Sequence, residues 1–173
     1  ELADNVLYAM ARLLDTELGE AELALAAYLR LSADDPFSPL RDDSLYRAAE
    51  LAARLGRPDD ALAYWERIAA VHDSSWALGE YDSSLRDDAM LARAELLASL
   101  ARYVEAKTEY VRLLDAYPEH LHAARYHYDY LRFLCGHGDG DAATVREALL
   151  EQHPESVYSE KVRAWGGDCP EGE

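Results

Sequence analysis

The sequence predicts an all-α fold, a right-handed superhelical solenoid of about four helical hairpins followed by a C-terminal capping helix. The first observation is a recurring frame in which an aromatic residue follows an Ala by one helical turn. This frame occurs at Ala24 and Tyr28, at Ala61 and Trp65, and at Ala106 and Tyr110. The second observation is a short pair that precedes each of these Ala residues, namely Leu18-Gly19, Leu55-Gly56 and Leu100-Ala101. Such a period is typical of stacked helical hairpins.

Length and composition favour one domain over 1–173. Half of the 173 residues are hydrophobic, which is ample for a buried core. No apolar run reaches the roughly 18 residues that a membrane-spanning helix needs. The chain begins with Glu1 rather than Met, so we expect an excised fragment or a mature form.

The elements can be placed in order from apolar residues at helical spacing and from the residues that interrupt them. Gly and Pro residues divide the pattern into hairpins at about 5–36, 42–73, 87–118 and 121–154. A lone amphipathic helix at about 155–166, with Ser156 as its N-cap, is expected to cover the last exposed apolar face.

Small and bulky side chains have separate roles within each hairpin. The recurring Ala is expected where the second helix crosses the first, because a larger side chain would separate the helix axes. The aromatic residue one turn later fills the gap to the next hairpin. A long insertion between Asp73 and Asp87 carries Trp76, Leu78 and Tyr81, which either form an interface or fold back over the gap between hairpins.

With this frame the chain resembles the tetratricopeptide-repeat (TPR) family over roughly residues 5–165. The fourth hairpin matches only loosely, because Arg146 stands where the family has an aromatic residue. The strings at 36–39 and 154–158 also resemble linkers of TPR lipoproteins of the bacterial envelope, of the outer-membrane assembly and Tol-Pal-associated types. The resemblance implies a noncatalytic scaffold that binds a peptide or helix of another protein in its concave groove.

The groove is expected to be formed by the first helix of each hairpin. Mixed charge with interspersed Tyr and Arg suits recognition. By helical register the candidate partner-binding residues are Asp43, Tyr46, Arg47, Glu50, Arg54, Leu91, Glu95, Arg125, Tyr126, Asp129 and Phe133. Family members that clamp a C-terminal carboxylate use Lys and Asn on this face. Asp43 and Asp88 stand here instead, so we expect no such clamp.

The charge balance narrows the class of partner. The chain has 34 acidic and 17 basic residues, a net charge of −17. Binding to nucleic acid or to an anionic membrane needs concentrated Lys and Arg, so neither is expected. The acidic charge serves solubility, or it attracts a basic or partly basic protein partner.

Side chains that could support chemistry have simpler explanations. The acidic pairs at 42–43, 59–60 and 87–88 stand at predicted helix starts, where capping explains them. His120, His122 and His127 lack the spacing of a helical metal pair. The glycine-rich turn at 136–141 lacks the ligands of a calcium or phosphate loop. We therefore predict no enzyme activity, no cofactor and no metal site.

Cys135 and Cys169 leave two interpretations open. The expected stacking brings the ends of their helices together, so a disulfide would staple the C-terminal end and imply an oxidising compartment such as the periplasm. The alternative is two free thiols in a cytoplasmic protein. We expect an interaction scaffold in a bacterial envelope assembly, periplasmic or associated with the outer membrane. The alternative function is a structural spacer or oligomerisation segment of a longer repeat protein.

Overall fold

The computed structural model describes residues 2–34, 38–70, 72–75 and 79–170. Nine α-helices lie within this part of the chain, which confirms the all-α class. They are α1 (Leu2–Thr16), α2 (Ala21–Asp34), α3 (Arg41–Arg54), α4 (Pro58–Ala70), α5 (Arg86–Ser99), α6 (Tyr103–Ala116), α7 (Ala123–Gly136), α8 (Ala142–Gln152) and α9 (Val157–Arg163). No described helix combines the length and the apolar character needed to cross a membrane.

The chain divides into two compact units, unit 1 ending at Leu96 and unit 2 beginning at Leu97. In unit 1 the recurring Ala residues are fully buried, as the crossing of two helices requires. Ala24 packs in one apolar cluster with Tyr28 and Leu51, and Ala61 packs in another with Trp65. One continuous domain over 1–173 stays a prediction.

The pair before each recurring Ala forms a tight turn with a left-handed backbone. Gly19 has φ 67° and Gly56 has φ 73°, a region in which glycine has no steric penalty. Ala101 occupies the same place in the third hairpin with φ 58° and adopts this conformation without the help of glycine. The repeating turn is therefore a feature of backbone geometry as well as of sequence.

The insertion after α4 contains a short β-hairpin. Strand β1 (His72–Ser75) pairs antiparallel with β2 (Gly79–Asp82), and Asp73 lies opposite Tyr81. The sequence analysis describes this segment only as an insertion between hairpins. The strands are short and polar, so they leave no periodic pattern of apolar residues. Trp76 and Leu78 lie outside the described residues.

In unit 2 the turn between α7 and α8 is tied back to α6. The Lys107 ammonium donates to the carboxylates of Asp139 (2.7 Å) and Asp141 (2.8 Å). Asp141 is the N-cap residue of α8, but its side chain makes no cap hydrogen bond. This turn therefore uses its acidic residues for an ionic contact between helices.

The terminal helix α9 begins as predicted at Ser156. The Ser156 hydroxyl accepts a hydrogen bond from the backbone N–H of Ser159 at 3.1 Å, which confirms it as the N-cap. The Ser159 hydroxyl donates to the carbonyl of His153 at 2.7 Å, and Val162 is fully buried. These contacts attach α9 to the end of α8.

The acidic pairs lie inside helices rather than before them. Asp42 and Asp43 are in the first turn of α3, whose N-cap is Leu40 without a side-chain cap bond. The Asp42 carboxylate is held by the guanidinium of Arg41 at 2.9 Å. The expected role in capping is wrong for this pair. Its position still suits the positive end of the helix dipole.

Candidate functional site, a groove in unit 1

A cavity of about 640 Å³ opens between α1, α3 and α5 in unit 1. Its walls are the last turn of α1, one face of α3 and one face of α5, with Trp65 of α4 between them. The lining residues are Asp15, Thr16, Tyr46, Arg47, Glu50, Ala53, Arg54, Trp65, Ala92, Glu95 and Leu96. The volume lies in the range of sites that bind ligands or side chains of a partner.

The wall formed by α5 is fixed to α4 by Arg93. Its guanidinium donates to the carbonyl of Leu62 (2.9 Å) and pairs with the carboxylate of Glu66 (2.7 Å). The Arg86 side chain adds a hydrogen bond to the carbonyl of Ala69 at 2.9 Å. The α5 wall of the cavity is therefore held against α4 by side-chain contacts.

Two aromatic side chains line the bottom of the cavity. The rings of Tyr46 and Trp65 have centroids 6.1 Å apart and are inclined by 60°. Trp65 is buried, and its indole Nε1 has no hydrogen-bond partner among the described residues. Burial raises the pKa of Tyr46 to about 12, with a further contribution from the carboxylates of Glu50, Asp88 and Glu95. Tyr46 therefore remains a neutral hydroxyl at physiological pH.

Charged side chains form the rim. The Arg47 guanidinium donates to the Glu50 carboxylate at 2.8 Å, and Arg54 of α3 pairs with Asp15 of α1. Glu95 is exposed on α5. The Arg47–Glu50 pair is exposed and contributes little stability, whereas Asp15 in the other pair is largely covered.

A second cavity, of about 390 Å³, continues the first toward the start of α1. It shares Asp15, Thr16 and Arg47 with the first cavity and adds Tyr8, Arg12 and Tyr28. The rings of Tyr8 and Tyr28 meet edge to face at 5.5 Å. The two cavities are neighbours that share three lining residues, and we call them together the groove of unit 1, with a Tyr46 end and a Tyr8 end.

The structure brings five of the predicted groove residues together at the Tyr46 end. These are Tyr46, Arg47, Glu50, Arg54 and Glu95. Asp43 is exposed on α3 outside the lining. Leu91 is only 3% exposed, so it is a core residue and not a contact for a partner.

In unit 2 the predicted residues fall into two groups. Arg125 and Asp129 remain partly accessible and pair at 3.3 Å, and burial raises the pKa of Asp129 while Arg125 opposes that change. Tyr126 is 1% exposed and Phe133 is 9% exposed. The ring of Phe133 packs on Tyr110 at 5.3 Å. Both aromatic residues therefore belong to the core, contrary to their predicted place in a groove.

The sequence analysis missed the contributions of α1 and of Trp65 to the groove. Asp15 and Thr16 lie in the first hairpin, for which no groove residues are predicted. Thr16 precedes Gly19 as Ala53 precedes Gly56, so alignment of the turns identifies it. Trp65 is predicted only to fill the gap between hairpins, whereas it also borders the cavity.

The three neighbouring histidines of the sequence lie in two places, as their spacing predicts. His120 lies beside Tyr126, whose hydroxyl is 3.2 Å from the His120 Nδ1. His127 is buried in α7, where its Nδ1–H donates to the carbonyl of Ala123 at 3.0 Å. Among the described residues no three His, Cys, Asp or Glu side chains are grouped closely enough to hold a metal ion.

Cys135 and Cys169 lie side by side in unit 2. Their sulfur atoms are 2.05 Å apart and their Cα atoms 5.4 Å apart. Cys135 is in the last turn of α7, and Cys169 lies in the segment that follows α9. The backbone therefore places the two residues where a disulfide forms without rearrangement.

Comparison with known proteins identifies the repeat. Residues 43–75 and 88–120 match the family model described as tetratricopeptide repeat. No curated protein sequence matches the chain significantly.

Several solved structures have a similar fold. A TPR protein from Parabacteroides merdae has a TM-score of 0.68 at 18% identity, over 95% of this chain and 59% of that one. The pilF protein of Pseudomonas aeruginosa has a TM-score of 0.52 at 23% identity, over 93% of this chain and 66% of that one. YrrB, a TPR protein with an unusual peptide-binding site, has a TM-score of 0.50 at 15% identity, over 91% of this chain and 90% of that one.

The chain spans less than two thirds of the length of the first two of these proteins. At these identities the likeness shows the fold alone. The two sequence matches fall on α3–α4 and on α5–α6, the hairpins in which the frame is most regular. The chain therefore has the fold of TPR proteins, and its residues 43–75 and 88–120 match the model of the repeat.

Proposed function

We propose that this chain is a noncatalytic scaffold that binds a peptide or helix of another protein in the groove of unit 1. The observation that carries the proposal is the cavity of about 640 Å³ between α1, α3 and α5. It combines a pair of aromatic rings with Arg and Glu side chains, the residue types that anchor protein partners. Proteins with TPR repeats generally mediate contacts between proteins, and YrrB has a peptide-binding site.

The overall charge supports a basic or partly basic partner. The net charge of −17 attracts positively charged proteins over a distance of about a Debye length. Close contact then depends on the groove, where acidic and basic side chains alternate. Steering and recognition thus have separate physical sources.

Affinity capture from the native source tests the proposal. The double variant Glu50→Arg and Glu95→Arg reverses two charges on the groove rim and leaves the buried core intact. We expect it to lose the partners that the wild-type chain captures, while its thermal unfolding measured by circular dichroism is unchanged. Asp129 is left out because it is half-buried and paired with Arg125.

The matched control is the double variant Glu119→Arg and Glu151→Arg. Both residues are exposed, and both lie in unit 2 outside the groove. The control has the same net charge as the groove variant. If both variants lose the partner equally, overall charge explains binding and the groove does not.

We propose further that the chain acts in a bacterial envelope assembly, in the periplasm or at the outer membrane. The placement of Cys135 beside Cys169 supports an oxidising compartment. The cytoplasm is the alternative. Mass spectrometry of native material under non-reducing conditions distinguishes them. A bonded pair supports the envelope, and two free thiols contradict it.

A second candidate function is self-association, and α1 favours it. Its outer face exposes apolar residues at helical spacing, namely Leu2, Val6, Met10 and Leu13. A second copy of the chain would bury this face against its own. Light scattering after size-exclusion chromatography tests this idea. We expect a dimer that the variant Val6→Glu with Met10→Glu converts to a monomer, and a monomeric wild type would refute it.

A further inference from the structure

The two ends of the unit 1 groove differ in charge. At the Tyr46 end, the residues that the other end does not share include two carboxylates, Glu50 and Glu95, against one guanidinium, Arg54. At the Tyr8 end, Arg12 is the one charged residue among the described lining residues that is not shared. The shared residues Asp15 and Arg47 compensate each other. The groove is therefore acidic at one end and basic at the other.

The Tyr46 end also has the chemistry that holds a cation. The face of the half-buried Tyr46 ring carries negative potential that attracts a positive charge, and the buried Trp65 borders the same cavity. After burial, the carboxylates of Glu50, Asp88 and Glu95 each raise the pKa of Tyr46, and Arg47 opposes them. Glu50 comes from α3 and Asp88 and Glu95 come from α5, so the negative charge converges from two walls.

We infer that the Tyr46 end of the groove seats a Lys or Arg side chain of the bound protein segment. The aliphatic stem of that side chain would lie against the Tyr46 ring, with its charged group between Glu50 and Glu95. An acidic side chain in the same place would meet like charges. The inference rests on the proposed function, since it names the residue that the groove recognises.

Glu50 can bind the cation of a ligand although Arg47 pairs with it. A carboxylate has two oxygens and can accept hydrogen bonds from more than one donor. Arg47 is exposed and also bonds to Tyr8, so it can keep one oxygen of Glu50 while a ligand cation takes the other. The bound side chain would thus extend an existing ionic contact rather than replace it.

Three blocked pentapeptides that differ only in a central Arg, Ala or Glu test the inference. Each is titrated into the full-length chain, and amide and indole N–H signals are followed by NMR. We expect the Arg peptide to bind most tightly and to shift the signals of Tyr46, Glu50, Trp65 and Glu95. The Glu peptide should bind most weakly.

Variants then assign the effect to the two carboxylates. Glu50→Gln and Glu95→Gln should each weaken binding of the Arg peptide about two- to fivefold and leave the Ala peptide unaffected. Glu119→Gln, an exposed change in unit 2, is the control and should have no effect. Equal binding of the three peptides, or an Arg preference that survives both Gln substitutions, would overturn the inference.

A selection from a random peptide library separates this inference from the proposed function. Binders that lose affinity for the Glu50→Arg and Glu95→Arg variant but share no Lys or Arg would refute the cation site alone. A selection without any groove-dependent binder would refute both. Binders with a fixed Lys or Arg whose affinity depends on Glu50 and Glu95 support both.

Discussion

Trp65 in unit 1 and Tyr110 in unit 2 stand at the aromatic position of the two segments that match the tetratricopeptide repeat, yet their surroundings differ. In unit 1, Trp65 lies 6.1 Å from Tyr46 and both rings border an open cavity. In unit 2, Tyr110 occupies the equivalent place and stacks on Tyr130 at 5.3 Å, with Phe133 at the same distance. Both aromatic side chains are buried in a core, but Trp65 in unit 1 also borders the cavity.

This difference indicates a division of roles between the units. Unit 2 adds contacts that join its helices, including the paired positions of Cys135 and Cys169 and the Lys107 bridge to the turn before α8. Unit 1 leaves aromatic and charged side chains facing a cavity, where they stabilise the fold less. We therefore expect binding of a protein partner to depend on unit 1. Resistance to unfolding should depend on the cysteine pair and the Lys107 ion pairs in unit 2.

The largest predicted effect concerns the cysteines. A bond between residues 34 positions apart removes conformational entropy from the unfolded chain worth about 3–4 kcal/mol on the chain-entropy model. The variant Cys135→Ser should therefore lower the free energy of unfolding of unit 2 by about that amount under oxidising conditions. Hydrogen exchange should show lost protection in α7–α9 and unchanged protection in α1–α4.

Reduction supplies the control for that prediction. Dithiothreitol should destabilise the wild type as much as the substitution does, and it should have no effect on the variant. If hydrogen exchange in α7–α9 is the same in the wild type and the variant, the bond contributes nothing to unit 2.

The second prediction concerns what the two units share. Ala61 in unit 1 and Ala106 in unit 2 are both fully buried at the same place in the repeat. Replacing either with Leu adds three carbon atoms to a filled space, which should cost about 1–3 kcal/mol of unfolding free energy. Ala26→Leu, at an exposed position of α2, is the control and should leave stability nearly unchanged. A large cost at only one buried position would show that the two cores differ.

The repeat frame was predictable because it depends on local sequence. The Ala residues at 24, 61 and 106 and the turns at 19, 56 and 101 recur in fixed order, and each is required by helix contact or backbone geometry. The family match and the solved structures bear out this part. Periodicity alone was sufficient for the helices and for most of the turns.

The direction in which individual side chains point was less predictable. Successive residues on a helix are separated by about 100°, so an error of one position moves a residue from groove to core. The register prediction is correct for Tyr46, Glu50 and Glu95, which face the cavity. It is wrong for Leu91, Tyr126 and Phe133, which are buried. Large apolar side chains in particular favour burial over display. The β-hairpin after α4 has no periodic signal at all.

The smallest predicted effect is a dependence of unit 2 on pH. His127 in α7 and His153 after α8 have ring centroids 5.4 Å apart, and burial lowers the pKa of both imidazoles from the usual 6.5. The folded state therefore binds fewer protons than the unfolded state below about pH 6.5, so stability falls as the solution becomes more acidic. Each group contributes at most about 1.4 kcal/mol per pH unit in that range.

Urea unfolding measured between pH 7.5 and pH 5 tests this dependence. The variant His127→Gln removes the more deeply buried imidazole and should flatten the loss of stability with acid, whatever its effect at neutral pH. His122→Gln, at an exposed position, should keep the wild-type slope. Both imidazoles lie in unit 2. Hydrogen exchange at pH 5 should therefore show loss of amide protection in α7 and α8 before α3 and α4. Equal loss of amide protection in both sets of helices would show that the acid sensitivity arises elsewhere. It would also remove one of the differences between the units.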